Sequence, residues 1–228
     1  MNTFNAAMIL AGAAVIGLTV CSGRMESRAG NSSDNLSGPD VDVPHEHFAI
    51  ENAAKLDKGE ASAAYKSLIE VMARGYGASA EPAARRYLDW RRFNDAPYPS
   101  AAHGNRYVNN YANFKAATAG YGQPGSVMPR GAVIVKDSFT ASEAGRFWPG
   151  ALFIMEKLAH DASPETGDWR YVMIMPDGST FGDSRLDSPR MTFCHDCHAE
   201  RAGDDYLFFV PKDAAALPTP KSPTASAP

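Results

Sequence analysis

The sequence predicts an α+β fold: a mainly antiparallel β-sheet forming a pocket, with N-terminal helices and a short helical turn at a C-x-x-C-H motif. Three observations carry that expectation. Helical periodicity is confined to residues before about 95, and short runs rich in β-branched and aromatic residues follow it. The close cysteine pair stands near the C-terminus, directly ahead of a histidine. The chain has 228 residues, 44% of them hydrophobic, enough for a domain of ordinary size and too many for a disordered protein. Lys plus Arg number 22 against 26 Asp plus Glu, a formal charge of -4, so no broad cationic surface for nucleic acid is implied. Three cysteines exclude a disulfide-dense scaffold.

Taken in order, residues 1–22 read as an export signal, which makes the expected location periplasmic. Ala6 to Val20 is an uncharged apolar run of 15 residues, short for a bilayer span and suited to the core of a secretory signal. Met1 to Asn5 carries no Lys or Arg, which leaves a short membrane anchor as an alternative. Cys21 follows Leu18-Thr19-Val20 and leaves lipidation as another, although Val20 is bulkier than the small residue normally preceding a lipidated cysteine. Residues 23–44, rich in Ser, Gly, Asn and Asp, form a flexible linker, and residues 214–228, with Pro218, Pro220, Pro223 and Pro228, an unfolded tail.

Residues 45–100 form the expected helical region. Ala61, Tyr65, Leu68 and Met72 share one stripe of a helix running to about Arg74, where Gly75 and Gly77 interrupt it. A second helix opens at Glu81-Pro82 and continues through Arg92 to a stop at Asn94-Asp95, its four arginines on a solvated face. Residues 101–213 carry the sheet. Gly131 to Phe139, Ala151 to Ala159 and Trp169 to Met175 read as three antiparallel strands bounded by Pro and Gly. Alternation places Lys136 with Ala132 and Ile134, and Glu156 with Leu152, Ile154 and Leu158, each an ionisable group interrupting an apolar face. For both, a strand end or edge open to water is the plain structural explanation.

Cys194-His195-Asp196-Cys197-His198 is the motif that carries chemistry. Two thiols at this spacing bond to the vinyl groups of one haem c, and the following imidazole, His198, binds the iron. His195 is expected on the surface of the attachment loop. Two other readings of the residues stay open. A Cys194–Cys197 disulfide would normally sit at a helix start after an early βαβ unit. A zinc site would need two further ligands, for which His45-Glu46-His47 is the candidate pair.

Only 30 residues follow His198 and none is Met or His, so a sixth ligand comes from upstream or is absent. The upstream candidates are His45, His47, His103 and His160, together with Met128, Met155, Met173, Met175 and Met191. Four-helix cytochromes also carry their motif late, but they lack the strand pattern. Phe153, Met155, Met173 and Phe193 are candidate pocket walls, a role that ordinary core packing explains equally well.

The segments His103 to Asn109, Pro129 to Asp137, Phe153 to Lys157, Trp169-Arg170-Tyr171 and Cys194 to His198 with Asp205 to Phe209 resemble, in order and spacing over about Ala101 to Pro211, the cytochrome P-460 family. That family is related to the β-sheet cytochromes c′-beta, which bind nitric oxide and other gases. The resemblance implies a sheet-based haem pocket with a lysine cross-linked to the porphyrin, for which Lys136 is the candidate. It further implies a distal proton-carrying carboxylate at Glu156 and a distal hydrogen-bond donor at Arg106. The implied activity is oxidation of hydroxylamine or nitric oxide at an open haem face, with electrons passed to a redox partner protein; the alternative is a gas-binding or electron-transfer cytochrome without turnover. Exposed apolar strand faces are compatible with a homodimer. The helical region has no counterpart in the resemblance.

Overall fold

Among the described residues of the computed structural model, 53–186 and 189–216, eight strands pair antiparallel into one sheet. The expected export signal, the linker, His45 to His47 and the tail beyond residue 216 lie outside the described residues. The strands are β1 (Arg91–Arg92), β2 (Tyr98–Ser100), β3 (Arg106–Ala112), β4 (Val133–Ala141), β5 (Phe147–Pro149), β6 (Leu152–Lys157), β7 (Trp169–Ile174) and β8 (Thr180–Asp183). Their order is β1-β3-β4-β6-β7-β8, with β2 added to β3 and β5 to β4. The three expected strands are β4, β6 and β7 at the centre. The expected boundary at residue 101 is corrected by the pairing: β1 and β2 lie before it yet hydrogen-bond to β3.

Strand β3 escapes sequence pattern because both its faces are buried and two of its residues are asparagines. Asn109 and Asn110 survive in the interior because each finds partners. Asn109 donates to Asp137 at 2.9 Å, and Asn110 donates to the Tyr121 hydroxyl at 2.7 Å. With partners supplied across the fold, polar residues sit where alternation would expect apolar ones.

Helix α1 (Lys58–Gly77) opens with a capping box in which the Glu60 amide donates to Asp57 Oδ1 and the Asp57 amide to Glu60 Oε2, at 2.8 and 2.9 Å. Such a cap is worth about 1 kcal/mol. Its buried stripe, Ala61, Ala64, Tyr65, Met72 and Tyr76, packs on the sheet with Tyr107, Val135, Phe139, Leu152, Ile154 and Ile174. The helix runs to Gly77 rather than Arg74. Gly75 lets its last turn lie against the Pro176 carbonyl, which a Cβ would strike.

The second expected helix is shorter than its periodicity suggests. Helix α2 (Pro82–Arg86) gives way to a 3-10 turn at Tyr87–Asp89, and Arg91–Arg92 are strand. Tertiary contacts override helix propensity here: Tyr87 is buried to donate to Asp137 at 3.2 Å, and Arg91–Arg92 pair with Ala112 and Tyr111. Arg85 and Arg86 are exposed, as expected for a solvated face. Helices α1 and α2 thus cover one face of the sheet.

The other face is covered by helix α3 (Phe114–Thr118), helix α4 (Thr192–Ala199) and the segment after it. Ala116, Tyr121, Met191, Phe193 and Leu207 pack there against Ile134, Met155, Trp169, Tyr171 and Met173. Covering both faces explains why β4 and β7 are buried along nearly their whole length.

Candidate functional site

Helix α4 is the cysteine motif in helical form. A spacing of three puts Cys194 and Cys197 on one side of it, with His198 following, and all three border one cavity against the sheet. Both thiols are free, so the disulfide alternative is not adopted. No cluster of three or more His, Cys, Asp or Glu suited to a metal ion occurs among the described residues, and the His45-Glu46-His47 pair that the zinc alternative needs lies outside them. Burial pushes the Cys194 thiol well above its ordinary pKa.

His198 is buried, and its Nδ1 lies 2.7 Å from the Tyr206 carbonyl oxygen. A carbonyl only accepts, so Nδ1 carries the proton and Nε2 keeps its lone pair, the tautomer an iron ligand needs. Desolvation, then the nearby Lys136 charge, lowers the His198 pKa to about 3, so the ring stays neutral. The Tyr206 carbonyl is delivered by a sharp turn in which Asp205 and Tyr206 both hold positive φ, 54° and 63°. That turn is anchored by Trp169 Nε1 donating to the Asp205 carbonyl at 2.9 Å, by the Met128 amide donating to Asp205 Oδ2 at 2.7 Å, and by a Lys157–Asp205 ion pair. Gly167 adds room, since a Cβ there would enter the Tyr206 ring. Such backbone strain persists only where the surroundings over-determine it.

The sheet supplies the facing wall. Register pairs Ile134 with Met155 and Met155 with Tyr171, and one step along pairs Lys136 with Phe153 and Phe153 with Met173. Of the four expected wall residues, Phe153, Met155 and Phe193 border the cavity, whereas Met173 packs in the core beside it. Lys136 also borders it. It is 8% exposed, and burial lowers its amine to a pKa of about 8, with the Cys197 charge opposing the shift. The edge-strand explanation for Lys136 therefore does not hold: β4 is central.

Glu156 is not brought to this site, which corrects the expectation of a distal carboxylate. Alternation places it with Leu152 and Ile154 on the face covered by α1 and α2, opposite Arg170 of β7. Arg170 Nη1 donates to Glu156 Oε2 at 2.8 Å, Nη2 to Glu81 Oε2 at 2.9 Å and to Asp183 Oδ2 at 2.6 Å. One strand cannot present residues 153, 155 and 156 to the same side. Glu156 is part of an ionic tie between α2 and the sheet.

Arg106 shares the cavity's side of β3 with Val108 and Asn110, but it does not border the cavity. It is buried behind it, Nη1 donating to the His103 carbonyl at 3.2 Å. Burial lowers its pKa to about 10, leaving it charged at neutral pH.

Of the upstream ligand candidates within the described residues, His103 and Met155 border the cavity. His160 is exposed and paired with Asp161, and Met128 and Met191 are core residues. His195 differs from expectation: it is half-buried, stacked on Tyr206 with ring centroids 6.2 Å apart. Tyr171 on β7, and Tyr206 and Phe208 in the segment after α4, carry no role from the sequence beyond lying in the segments of the family resemblance, since a buried aromatic residue looks like any core residue. Phe208 meets the His198 ring edge-on at 5.2 Å, and the Tyr171 hydroxyl is buried with no hydrogen-bond partner among the described residues.

The residues fit a haem. Two thiols and a buried neutral imidazole with its second nitrogen engaged stand on one helix, facing apolar strand residues across a shared cavity. Comparison with known sequences agrees. No curated protein matches the chain. The family model for Cytochrome P460 matches residues 84–209, more than half of the chain and beginning inside α2. The sheet, the cysteine helix and this match together establish that the chain belongs to the cytochrome P460 family, a haem-binding cytochrome.

Proposed function

We propose that the protein is an exported cytochrome with one haem c, bound through thioethers from Cys194 and Cys197 and ligated by His198, which oxidises hydroxylamine, alone or with nitric oxide, and passes the electrons to a separate redox partner. The observation that carries this reading is the convergence of Cys194, Cys197, His198 and Lys136 on one largely apolar cavity. A haem bound there would supply the redox chemistry, with Cys194, Cys197 and His198 holding it. The chain's part is to hold His198 neutral and oriented, to exclude water with Phe153, Met155 and Phe193, and to set the Lys136 amine at the wall of the cavity that would receive the haem. An amine whose pKa is drawn down to about 8 keeps an appreciable neutral fraction near neutral pH.

A second reading, reversible binding of nitric oxide or carbon monoxide without turnover, is favoured by one observation. The carboxylate expected to carry protons, Glu156, belongs to the opposite face of the sheet. Protein matured in a host with c-type haem attachment separates the two. One haem in the denatured intact mass, a red-shifted reduced Soret band and hydroxylamine-dependent reduction of an added acceptor are expected for the enzyme. One haem with an ordinary five-coordinate spectrum and no turnover supports gas binding, and no covalent haem overturns both.

A further inference from the structure

We infer that Tyr65 and Asp137 form a redox-active tyrosine site, in which Tyr65 gives an electron to a peroxide-oxidised haem and its phenolic proton to the Asp137 carboxylate. This rests on the haem reading proposed above and adds a second activity to it, built on the face of the sheet away from the cavity.

Asp137 follows Lys136 on β4, and Lys136 borders the cavity, so alternation turns the Asp137 carboxylate to the face of Val135 and Phe139, covered by α1 and α2. The cavity and the carboxylate are thus on opposite sides of one strand. Three donors converge on the buried carboxylate. Tyr65 Oη donates to Oδ2 at 2.6 Å, Tyr87 Oη to the same oxygen at 3.2 Å, and Asn109 Nδ2 to Oδ1 at 2.9 Å. Because the Tyr65 proton is engaged by the carboxylate, Tyr111 is the donor in the 2.7 Å contact between the Tyr65 and Tyr111 hydroxyls. The Tyr111 ring in turn meets Tyr87 edge-on, with centroids 5.1 Å apart.

A phenol yields an electron readily only if its proton leaves as well, and the geometry selects Tyr65 for that. Tyr76 and Tyr107 are as deeply buried, but their hydroxyls donate to the Gly150 and Ala54 carbonyls, at 2.7 and 3.1 Å, and a carbonyl cannot keep a proton. Tyr87 is farther from the shared carboxylate oxygen than Tyr65 is. At rest, burial and then the Asp137 charge push the Tyr65 pKa far up, so the phenol keeps its proton until the electron leaves. Loss of the electron with transfer of the proton along the 2.6 Å bond turns a phenol and a carboxylate into a neutral radical and a neutral acid. The interior then holds one charge fewer, so burial favours the step, and Tyr111 continues to donate to the radical oxygen. The O–O bond breaks as hydrogen peroxide takes two electrons, one from the haem and one from Tyr65, and two solvent protons to become two waters. A later electron from the redox partner, with the proton returned by Asp137, restores the phenol.

The test mixes ferric holoprotein with a stoichiometric amount of hydrogen peroxide, freezes it and records the electron paramagnetic resonance spectrum. Wild type is expected to give an organic radical whose signal narrows when the protein is grown on ring-deuterated tyrosine, an assignment that needs no variant. Y65F is expected to abolish that signal, and D137N, which keeps every tyrosine and loses only the proton acceptor, to lower its yield several-fold. Y107F, whose hydroxyl bonds only to backbone, is expected to leave it unchanged. A wild type with one covalent haem and no tyrosyl signal overturns this inference alone, and so does a signal that survives undiminished in haem-bearing Y65F or D137N. Wild-type protein without covalent haem overturns the haem reading and this inference with it.

Discussion

Glu156 and Arg170 are direct register partners on β6 and β7, joined by an ion pair of 2.8 Å on the sheet face away from the cysteine helix. The same guanidinium reaches Glu81, the residue that caps α2, and Asp183 of β8, so one cation ties a helix and three strands together. Its pKa is raised by its hydrogen bonds to Asp183 and Glu156, against the effect of burial.

That arrangement predicts opposite sizes of effect for its members. Removing Arg170 by Arg170→Met strands three carboxylates and is expected to cost about 3–5 kcal/mol. Glu156→Gln, whose side chain is a third exposed, is expected to cost less than about 1 kcal/mol. Urea unfolding measures both. The Glu156→Gln holoprotein is expected to keep its Soret position; a changed haem spectrum with unchanged stability would return Glu156 to the cavity.

Lys136→Met tests the cross-link. The cysteines are untouched, so the intact mass should still show one haem, while any red shift of the reduced Soret band should vanish. Because burial lowers the lysine's pKa, its folded state releases a proton that the unfolded state keeps. In the haem-free wild-type chain, where the amine is free, stability therefore rises with pH between about 8 and 10.5. Lys136→Met should remove that part of the slope in chemical unfolding followed across this range.

Covalent attachment is tested at the thiols. Cys194→Ser or Cys197→Ser alone should retain haem through one thioether, and Cys194→Ser, Cys197→Ser and Lys136→Met together should release it all under denaturing acid extraction. Retention of haem by the double variant would show that Lys136 alone holds the cofactor.

Asp137 predicts a pH dependence of the fold itself. It is fully buried on the face opposite Lys136, accepting from Tyr65 at 2.6 Å, Tyr87 at 3.2 Å and Asn109 at 2.9 Å. Desolvation outweighs these bonds and raises its pKa to about 6. The folded state then binds a proton more readily than the unfolded chain, so this residue's contribution is fully present below about pH 4 and is lost as pH rises through 6. The loss is on the order of 3 kcal/mol from the two-unit difference. Asp137→Asn should flatten that slope relative to wild type in denaturant titrations at pH 4 and pH 7.

Much of the molecule was legible before folding. The C-x-x-C-H spacing points to a haem and marks Cys194, Cys197 and His198 as the residues proposed to hold it, because all three lie within one short helix and a local motif needs no distant partner to be read. The central strands β4, β6 and β7 were legible for a similar reason: turn residues bound them and β-branched or aromatic residues fill them. Alternation also separated odd from even positions correctly along β4 and β6. What alternation cannot do is say which side of one strand meets which side of the next, since that depends on inter-strand register. Lys136 and Glu156 each sit at an even position, yet register pairs Lys136 with Phe153 and so sends Glu156 to the other face.

Strand β3, the truncation of α2 and the turn at Asp205-Tyr206 were hidden for a further reason. Each is stabilised by partners far away in the chain: Asn109 by Asp137, Tyr87 by Asp137, and Asp205 by Lys157, Trp169 and Met128. By itself the sequence determined the family, the haem motif at Cys194 to His198 and the central sheet, because short-range spacing and periodicity encode them. Only the tertiary structure decided which polar side chains meet at the cavity, placing His103 there and Glu156 elsewhere, because buried polar groups are positioned by long-range hydrogen bonds and strand register.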